Sequence, residues 1–242
     1  MRSQAVLVAL IASPALAHVA PSGDSNNRYL KATLLPTEVR VTFTIFFGER
    51  PGVIERRRVD KDGDGRIDEA EARTLGERTL GELAPGLFVT VDGRPAAGWK
   101  VADVGLGTPT TGGGALSVDL ALAAPYPDPR AAEHTLVLED ATEVALPGES
   151  ETRVEESPGV RVAECHLANA AGGIELRFPF TGNPPGRGAR EVRAKFTVDT
   201  DLLPRPPPRP RLWPWAVLAG AALVAAAVAL WRRRISERCT DS

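Results

Sequence analysis

From residue 39 to residue 47 the chain alternates strictly. Val39, Val41, Phe43, Ile45 and Phe47 fall on one parity, while Arg40, Thr42 and Thr44 fall on the other. A period of two marks a strand with one buried face. Residues 28–35 precede it across Pro36-Thr37, which predicts a hairpin. Leu116, Val118, Leu120 and Leu122 alternate in the same way. So do Ile174, Leu176 and Phe178, and further on Val192, Ala194, Phe196 and Val198. Leu87–Val91 runs into Asp92-Gly93, a favoured turn pair, and residues 96–104 are expected to return from it. Residues 135–139 and Val160–Leu167 are shorter strand candidates. Eight or nine short strands with Gly- and Pro-rich turns predict a mainly β fold, an immunoglobulin-like β-sandwich. The Gly-rich run 105–114 lacks the lysine and spacing of a phosphate-binding loop and is expected to be flexible.

The pattern changes between residues 50 and 84, where a helix–loop–helix insertion is expected. Pro51 suits a helix start, and Val53, Ile54 and Val59 suit a short entering helix. Ala72, Leu75, Gly76, Thr79, Leu80 and Leu83 then recur at helical spacing. Between the two stripes stands Asp60-Lys61-Asp62-Gly63-Asp64-Gly65-Arg66-Ile67-Asp68-Glu69-Ala70-Glu71, which fits the twelve-residue calcium loop of an EF-hand. A hard divalent cation takes six to eight oxygens at about 2.3–2.6 Å. Asp60, Asp62 and Asp64 fill positions 1, 3 and 5 of such a loop, and Gly65 at position 6 permits its sharp turn. Arg66 can offer only its carbonyl oxygen, Asp68 binds directly or through water, and Glu71 at position 12 can supply both oxygens. The expected ligands of Ca²⁺ are therefore Asp60, Asp62, Asp64, Arg66, Asp68 and Glu71. Ile67 is expected to reach the core.

EF-hands commonly dock in pairs, yet no second loop follows. Asp199-Thr200-Asp201 has neither the glycine nor the terminal glutamate. A lone hand outside the cytoplasm predicts a mainly structural ion, bound in the extracellular range of about 10⁻⁴–10⁻³ M. Met1 is the only methionine, so a calmodulin-like switch built on a Met-rich groove is not expected.

Charge divides the chain by environment. The formal total is −2, but residues 18–202 hold 21 basic and 29 acidic residues, a charge of −8. A uniformly basic nucleic-acid binder is excluded. Residues 1–17 read as a secretory signal peptide: Arg2, an apolar stretch too short to span a bilayer, then Ala15-Leu16-Ala17 as a cleavage site. Residues 212–231 carry no charge and, at about 1.5 Å per residue, would form about 30 Å of helix, enough to cross a bilayer. Trp213, Trp215 and Trp231 mark its interfaces, and Arg232, Arg233 and Arg234 place the tail 232–242 in the cytoplasm. Residues 203–211 contain five prolines and three arginines, a stiff stalk before the membrane. The expected layout is an exported domain, periplasmic or extracellular, on a single-pass anchor in the cell membrane.

Three histidines and two cysteines limit the chemistry. His18 would be the mature N-terminus if cleavage follows Ala17, where its imidazole and amino group could chelate a transition metal. His134 is expected at the surface near a strand start. Cys165 and His166 are adjacent, so on a strand they face opposite sides. Cys165 is expected to be a small core residue or a free thiol. Cys239 lies beyond the membrane helix, which rules out a disulfide between the two. No nucleophile–base motif is present, and an enzyme is not expected.

Ala17-His18, Asn27-Arg28-Tyr29-Leu30, strand 39–47, the loop 60–71 and Leu87-Phe88-Val89-Thr90-Val91-Asp92-Gly93 follow one another in an order that resembles the exported N-terminal region of bacterial membrane proteins related to nickel/cobalt transporters. Residues 158–162 and 191–196 extend the likeness over about residues 17–200. The resemblance implies an exported β-domain with calcium that partners a membrane complex. It does not imply a pore, because those proteins continue into a multi-helix permease and this chain has one candidate span. The function expected from the sequence is a calcium-binding, membrane-anchored binding or accessory module, whose partners are the bilayer and another membrane protein or transporter. The alternative is a domain that captures copper, nickel or cobalt through His18 or serves a transporter.

Overall fold

The computed structural model describes residues 23–203, apart from 169 and 171–173. The expected signal peptide, His18, residues 204–211 of the stalk, the membrane helix and the tail with Cys239 lie outside the described residues. No helix among the described residues is long and apolar enough to cross a membrane.

In chain order the elements are β1 (Asn26–Leu34), β2 (Glu38–Phe47), α1 (Glu49–Val59), α2 (Glu69–Leu83), β3 (Leu87–Val91), β4 (Arg94–Pro95), β5 (Lys100–Leu106), β6 (Leu116–Pro125), β7 (His134–Asp140), β8 (Pro147–Glu156), β9 (Val160–Leu167), β10 (Arg177–Thr181) and β11 (Glu191–Val198). The fold is mainly β and forms two sheets, one in the order β10-β8-β1-β2-β6-β5 and one in the order β4-β3-β7-β11-β9. The strand pairs are antiparallel except for β1 with β8, which run parallel.

The inner faces share one core. Val39, Val41, Phe43 and Ile45 of β2 are buried, as are Leu116, Val118, Leu120 and Leu122 of β6 and Val192, Ala194, Phe196 and Val198 of β11. β1 and β2 form the expected hairpin, with Leu34 opposite Val39. In β9 a bulge lies opposite Lys195 and Phe196, so that Val162 faces Phe196 and Cys165 faces Ala194. One extra residue shifts the parity and turns Cys165 inward, where it is fully buried.

Three expectations change. Asp92-Gly93 does turn, with φ of 51° and 74°, but the returning strand is only Arg94–Pro95. Proline has no N–H for the ladder, and the chain crosses to the other sheet, where β5 pairs with β6. Ile174 is 63% exposed and makes only an isolated bridge to Cys165, so β10 begins at Arg177 and Phe178 alone of that trio is fully buried. His134 opens β7 as expected but is buried, not exposed: it stacks on Tyr126 at 4.4 Å and on Phe196 at 5.3 Å. Its Nδ1 lies 2.9 Å from Asp92 Oδ2, which anchors the imidazole in an otherwise aromatic nest.

β8, which the sequence pattern did not predict, shows no apolar alternation because its inward positions are Ser150, Thr152 and Val154, two of them polar. Ser150 accepts from Arg190 Nη1 at 2.9 Å. That guanidinium also pairs with Asp140 at 3.4 Å, and Arg28 approaches the same carboxylate at 3.9 Å. Arg28, Asp140 and Arg190 are all buried, and carbonyl oxygens of Thr142, Thr181 and Gly182 accept from their Nη groups, while Arg28 Nε is buried without a partner. Burial lowers both arginines from their ordinary pKa, and Asp140 works against that shift. One carboxylate thus serves two guanidiniums, and the cluster ties β1, β7 and β8 to the residue that leads into β11.

Candidate metal centre

Between β2 and β3 the chain leaves the sheets as two helices joined by residues 60–68. α2 packs on β5 because Gly76 lets it: a Cβ there would lie 2.8 Å from Val101 Cγ1 and 3.0 Å from Val104 Cγ2. Leu75, Thr79 and Leu83 are buried on the same face, with Ala72 and Leu80 packed at its edge. In α1 the inward face differs from the expected one. Ile54 is 58% exposed, while Gly52, Arg56 and Val59 are buried. Arg78 of α2 pairs with Glu55 of α1, holding the helices side by side.

α2 begins with a capping box. Asp68 Oδ1 accepts from the Glu71 N–H at 2.8 Å, and Glu71 Oε2 accepts from the Asp68 N–H at 3.1 Å. This fixes the carboxylates of positions 9 and 12 relative to the helix. Glu71 Oε1 reaches further back, to the Lys61 N–H at 2.7 Å. At the other end, Asp60 Oδ1 accepts from Gly63 N–H at 2.8 Å and Oδ2 from Gly65 N–H at 3.1 Å. Asp62 Oδ1 accepts from Asp64 N–H, and Asp64 Oδ1 from Arg66 N–H. Gly65 has φ +79°, the left-handed turn expected at position 6.

The loop brings Asp60, Asp62 and Glu71 together. One carboxylate oxygen from each lies within 4.8 Å of the others. Asp64 and Asp68 line the same loop but stand outside that group, each bonded to backbone. Arg66 contributes its main chain, which forms an isolated antiparallel bridge with Thr110. The donors are oxygens, and no imidazole or thiolate belongs to the group. Such a set suits a hard cation such as calcium over copper or nickel. Ile67 is buried as expected.

Sequence reasoning missed two parts of the centre. The first is Arg56, fully buried although charged. Its Nη1 donates to the Thr108 carbonyl and, at 3.2 Å, to that of Thr110; its Nη2 donates to the Ala115 carbonyl at 2.6 Å. Burial lowers its pKa from the ordinary arginine value. Spacing carried the signal, because Arg56 is four residues from Gly52 and three from Val59, on the stripe that faces inward. The second is the run 105–114, expected to be flexible. Ile67 N–H donates to the Pro109 carbonyl at 2.8 Å, and Thr111 N–H donates to the Gly65 carbonyl at 3.0 Å. The segment is therefore held against residues 65–67 of the loop, and no pattern of side chains announces a contact made mainly by backbone.

Beside the start of α1 a cleft of about 710 Å³ is lined by Tyr29, Phe46, Phe47, Glu49, Ala115 and Leu116, among others. Tyr29 and Phe46 meet edge to face, with ring centres 5.6 Å apart. Elsewhere, Cys165 is buried with its thiol pKa pushed up to about 12 by burial and by Glu175. Compared with known proteins, the chain matches no protein-family model and no curated protein.

Proposed function

We propose that this chain is a calcium-binding β-domain carried outside the cytoplasm on a single membrane helix, acting as a binding or accessory module and not as an enzyme. The observation that carries the reading is the convergence of the Asp60, Asp62 and Glu71 carboxylates within 4.8 Å inside a twelve-residue loop. Asp60, Asp62, Asp64, Asp68 and Glu71 would hold the ion through carboxylates and Arg66 through its carbonyl. The ion would supply positive charge that relieves repulsion among five clustered carboxylates, and so would stabilise the folded domain by mass action. Two sheets around one core support an immunoglobulin-like sandwich with the hand inserted between β2 and β3. The helix at 212–231 and the signal at 1–17 rest on the sequence. Another membrane protein is the proposed partner.

Thermal unfolding of the full chain in mild detergent tests the reading. With a Kd near 10⁻⁴ M, 10 mM calcium stabilises by about 2.7 kcal/mol. For a domain of this size that raises Tm by about 5–11 °C. The same concentration of magnesium should give a smaller rise, because magnesium demands a stricter geometry and dehydrates reluctantly. An unchanged Tm in calcium overturns the assignment.

A further inference from the structure

Building on the calcium reading above, we propose that residues 107–115, clamped by Arg56, serve as the missing half of the hand, so that ordering this segment and binding the divalent cation are one coupled equilibrium. Three observations carry this. First, the segment pairs with the middle of the ion loop: Ile67 N–H to Pro109 O at 2.8 Å, Thr111 N–H to Gly65 O at 3.0 Å, and the bridge between Arg66 and Thr110. Those three loop residues sit between the carboxylates of Asp64 and Asp68, and Arg66 is the one whose carbonyl is an expected ligand. Holding their backbone therefore holds the ligand frame.

Second, the clamp comes from the entering helix. Arg56 ends its side chain on three carbonyls of the segment, those of Thr108, Thr110 and Ala115, and no carboxylate faces it among the described residues. Its Nε is buried with no partner. A buried guanidinium held only by carbonyls stays in place only while those carbonyls stay in place, so the segment and α1 order together. Third, the segment closes on itself, through Gly107 N–H to Ala115 O at 2.9 Å and Thr108 Oγ1 to Gly113 O at 2.7 Å. It is a built loop with one face on the hand. Arg56 is a positioning residue in this scheme: it acts on the ion through the backbone of 65–67. Linkage makes the effect reciprocal, so whatever factor the ordered segment adds to ion affinity, the ion adds to segment order.

Calorimetric calcium titration of the full chain, combined with hydrogen–deuterium exchange, tests this. Arg56→Met should weaken calcium binding about tenfold and Arg56→Lys by less, following the number of carbonyl contacts each can keep. Thr111→Pro deletes the N–H donated to Gly65 and should weaken binding as well, which keeps the test open if Arg56→Met does not fold. Val162→Ala, in the core of the other sheet, serves as the control: it should lower Tm and leave the affinity unchanged. In wild type, chelation should speed exchange at the amides of Ile67, Gly107 and Thr111. If Arg56→Lys and Thr111→Pro bind calcium as tightly as wild type, or if exchange over 107–115 ignores calcium, the proposal is overturned while the calcium site stands. If wild type itself takes up no calcium at 10 mM, the calcium reading fails, and the coupling with it.

Discussion

Glu71 Oε1 accepts a hydrogen bond from the backbone N–H of Lys61 at 2.7 Å, ten residues earlier in the chain. Its other oxygen accepts from Asp68 N–H. The last residue of the loop thus grips both the first turn of the loop and the start of α2, through the oxygens that an ion would use. On the proposed reading, ion binding and helix capping would share one carboxylate, and substitutions can separate them.

Glu71→Gln keeps one oxygen acceptor for the capping box but removes the charge and leaves the exposed Lys61 N–H to water. Its Tm without calcium should stay close to wild type, while most of the calcium-induced rise disappears. Glu71→Ala loses both roles. Loss of the cap costs about 1 kcal/mol, so its Tm should also fall by about 2–4 °C without calcium. Scanning calorimetry of both variants, with and without calcium, reads the two effects separately.

Asp140 is the counter-charge for two buried guanidiniums, 3.9 Å from Arg28 and 3.4 Å from Arg190. Asp140→Asn should leave both positive charges uncompensated in the core and destabilise the domain by about 3–5 kcal/mol. Urea unfolding measures this. A loss below about 1 kcal/mol, the range of an exposed ion pair, would mean that water reaches the cluster.

His134 fills space between Tyr126 and Phe196 and bonds Asp92. His134→Ala should cost about 3 kcal/mol, in the range found for large-to-small changes at buried positions. His134→Phe should cost less, because it keeps a ring in the stack and loses only the bond to Asp92. The order of the two midpoints in urea checks the packing role directly.

Cys165 has its thiol pushed up from 9.0 to about 12. A group whose pKa is higher in the folded state holds its proton more tightly there, so its contribution is complete below pH 9 and is lost as pH rises towards 12. Stability should therefore decline across that window, and Cys165→Ala should make the decline shallower. The same burial predicts no alkylation of the Cys165 peptide by iodoacetamide at pH 8 in the native protein, and full labelling once it is unfolded.

Most strands were legible because their inward residues are apolar and their neighbours are not, as in Val39–Val41–Phe43–Ile45 and Val192–Ala194–Phe196–Val198. β8 was illegible for the converse reason: Ser150 and Thr152 face inward to serve a buried ionic cluster, and a polar residue in the core looks like a surface residue in sequence. Cys165 shows a second limit. The bulge at β9 reverses its parity, and nothing in the alternation of Val160 and Val162 signals where the reversal falls. At the candidate site, the carboxylates could be named from their spacing, since Asp60, Asp62, Asp64, Asp68 and Glu71 follow a fixed chemical template. Arg56 showed only as a position on the inward stripe of α1, and its targets at 108–115 did not show at all, because they take part through carbonyls and amides that every residue carries.

Residues 60–71 are proposed to bind one calcium ion. Isothermal titration of the chelator-stripped full chain with calcium measures this most directly. Saturable binding of one ion per chain is expected, with a Kd of about 10⁻⁴–10⁻³ M, and its loss in Glu71→Gln. Absence of binding up to 10 mM, or binding of equal strength in Glu71→Gln, would contradict it.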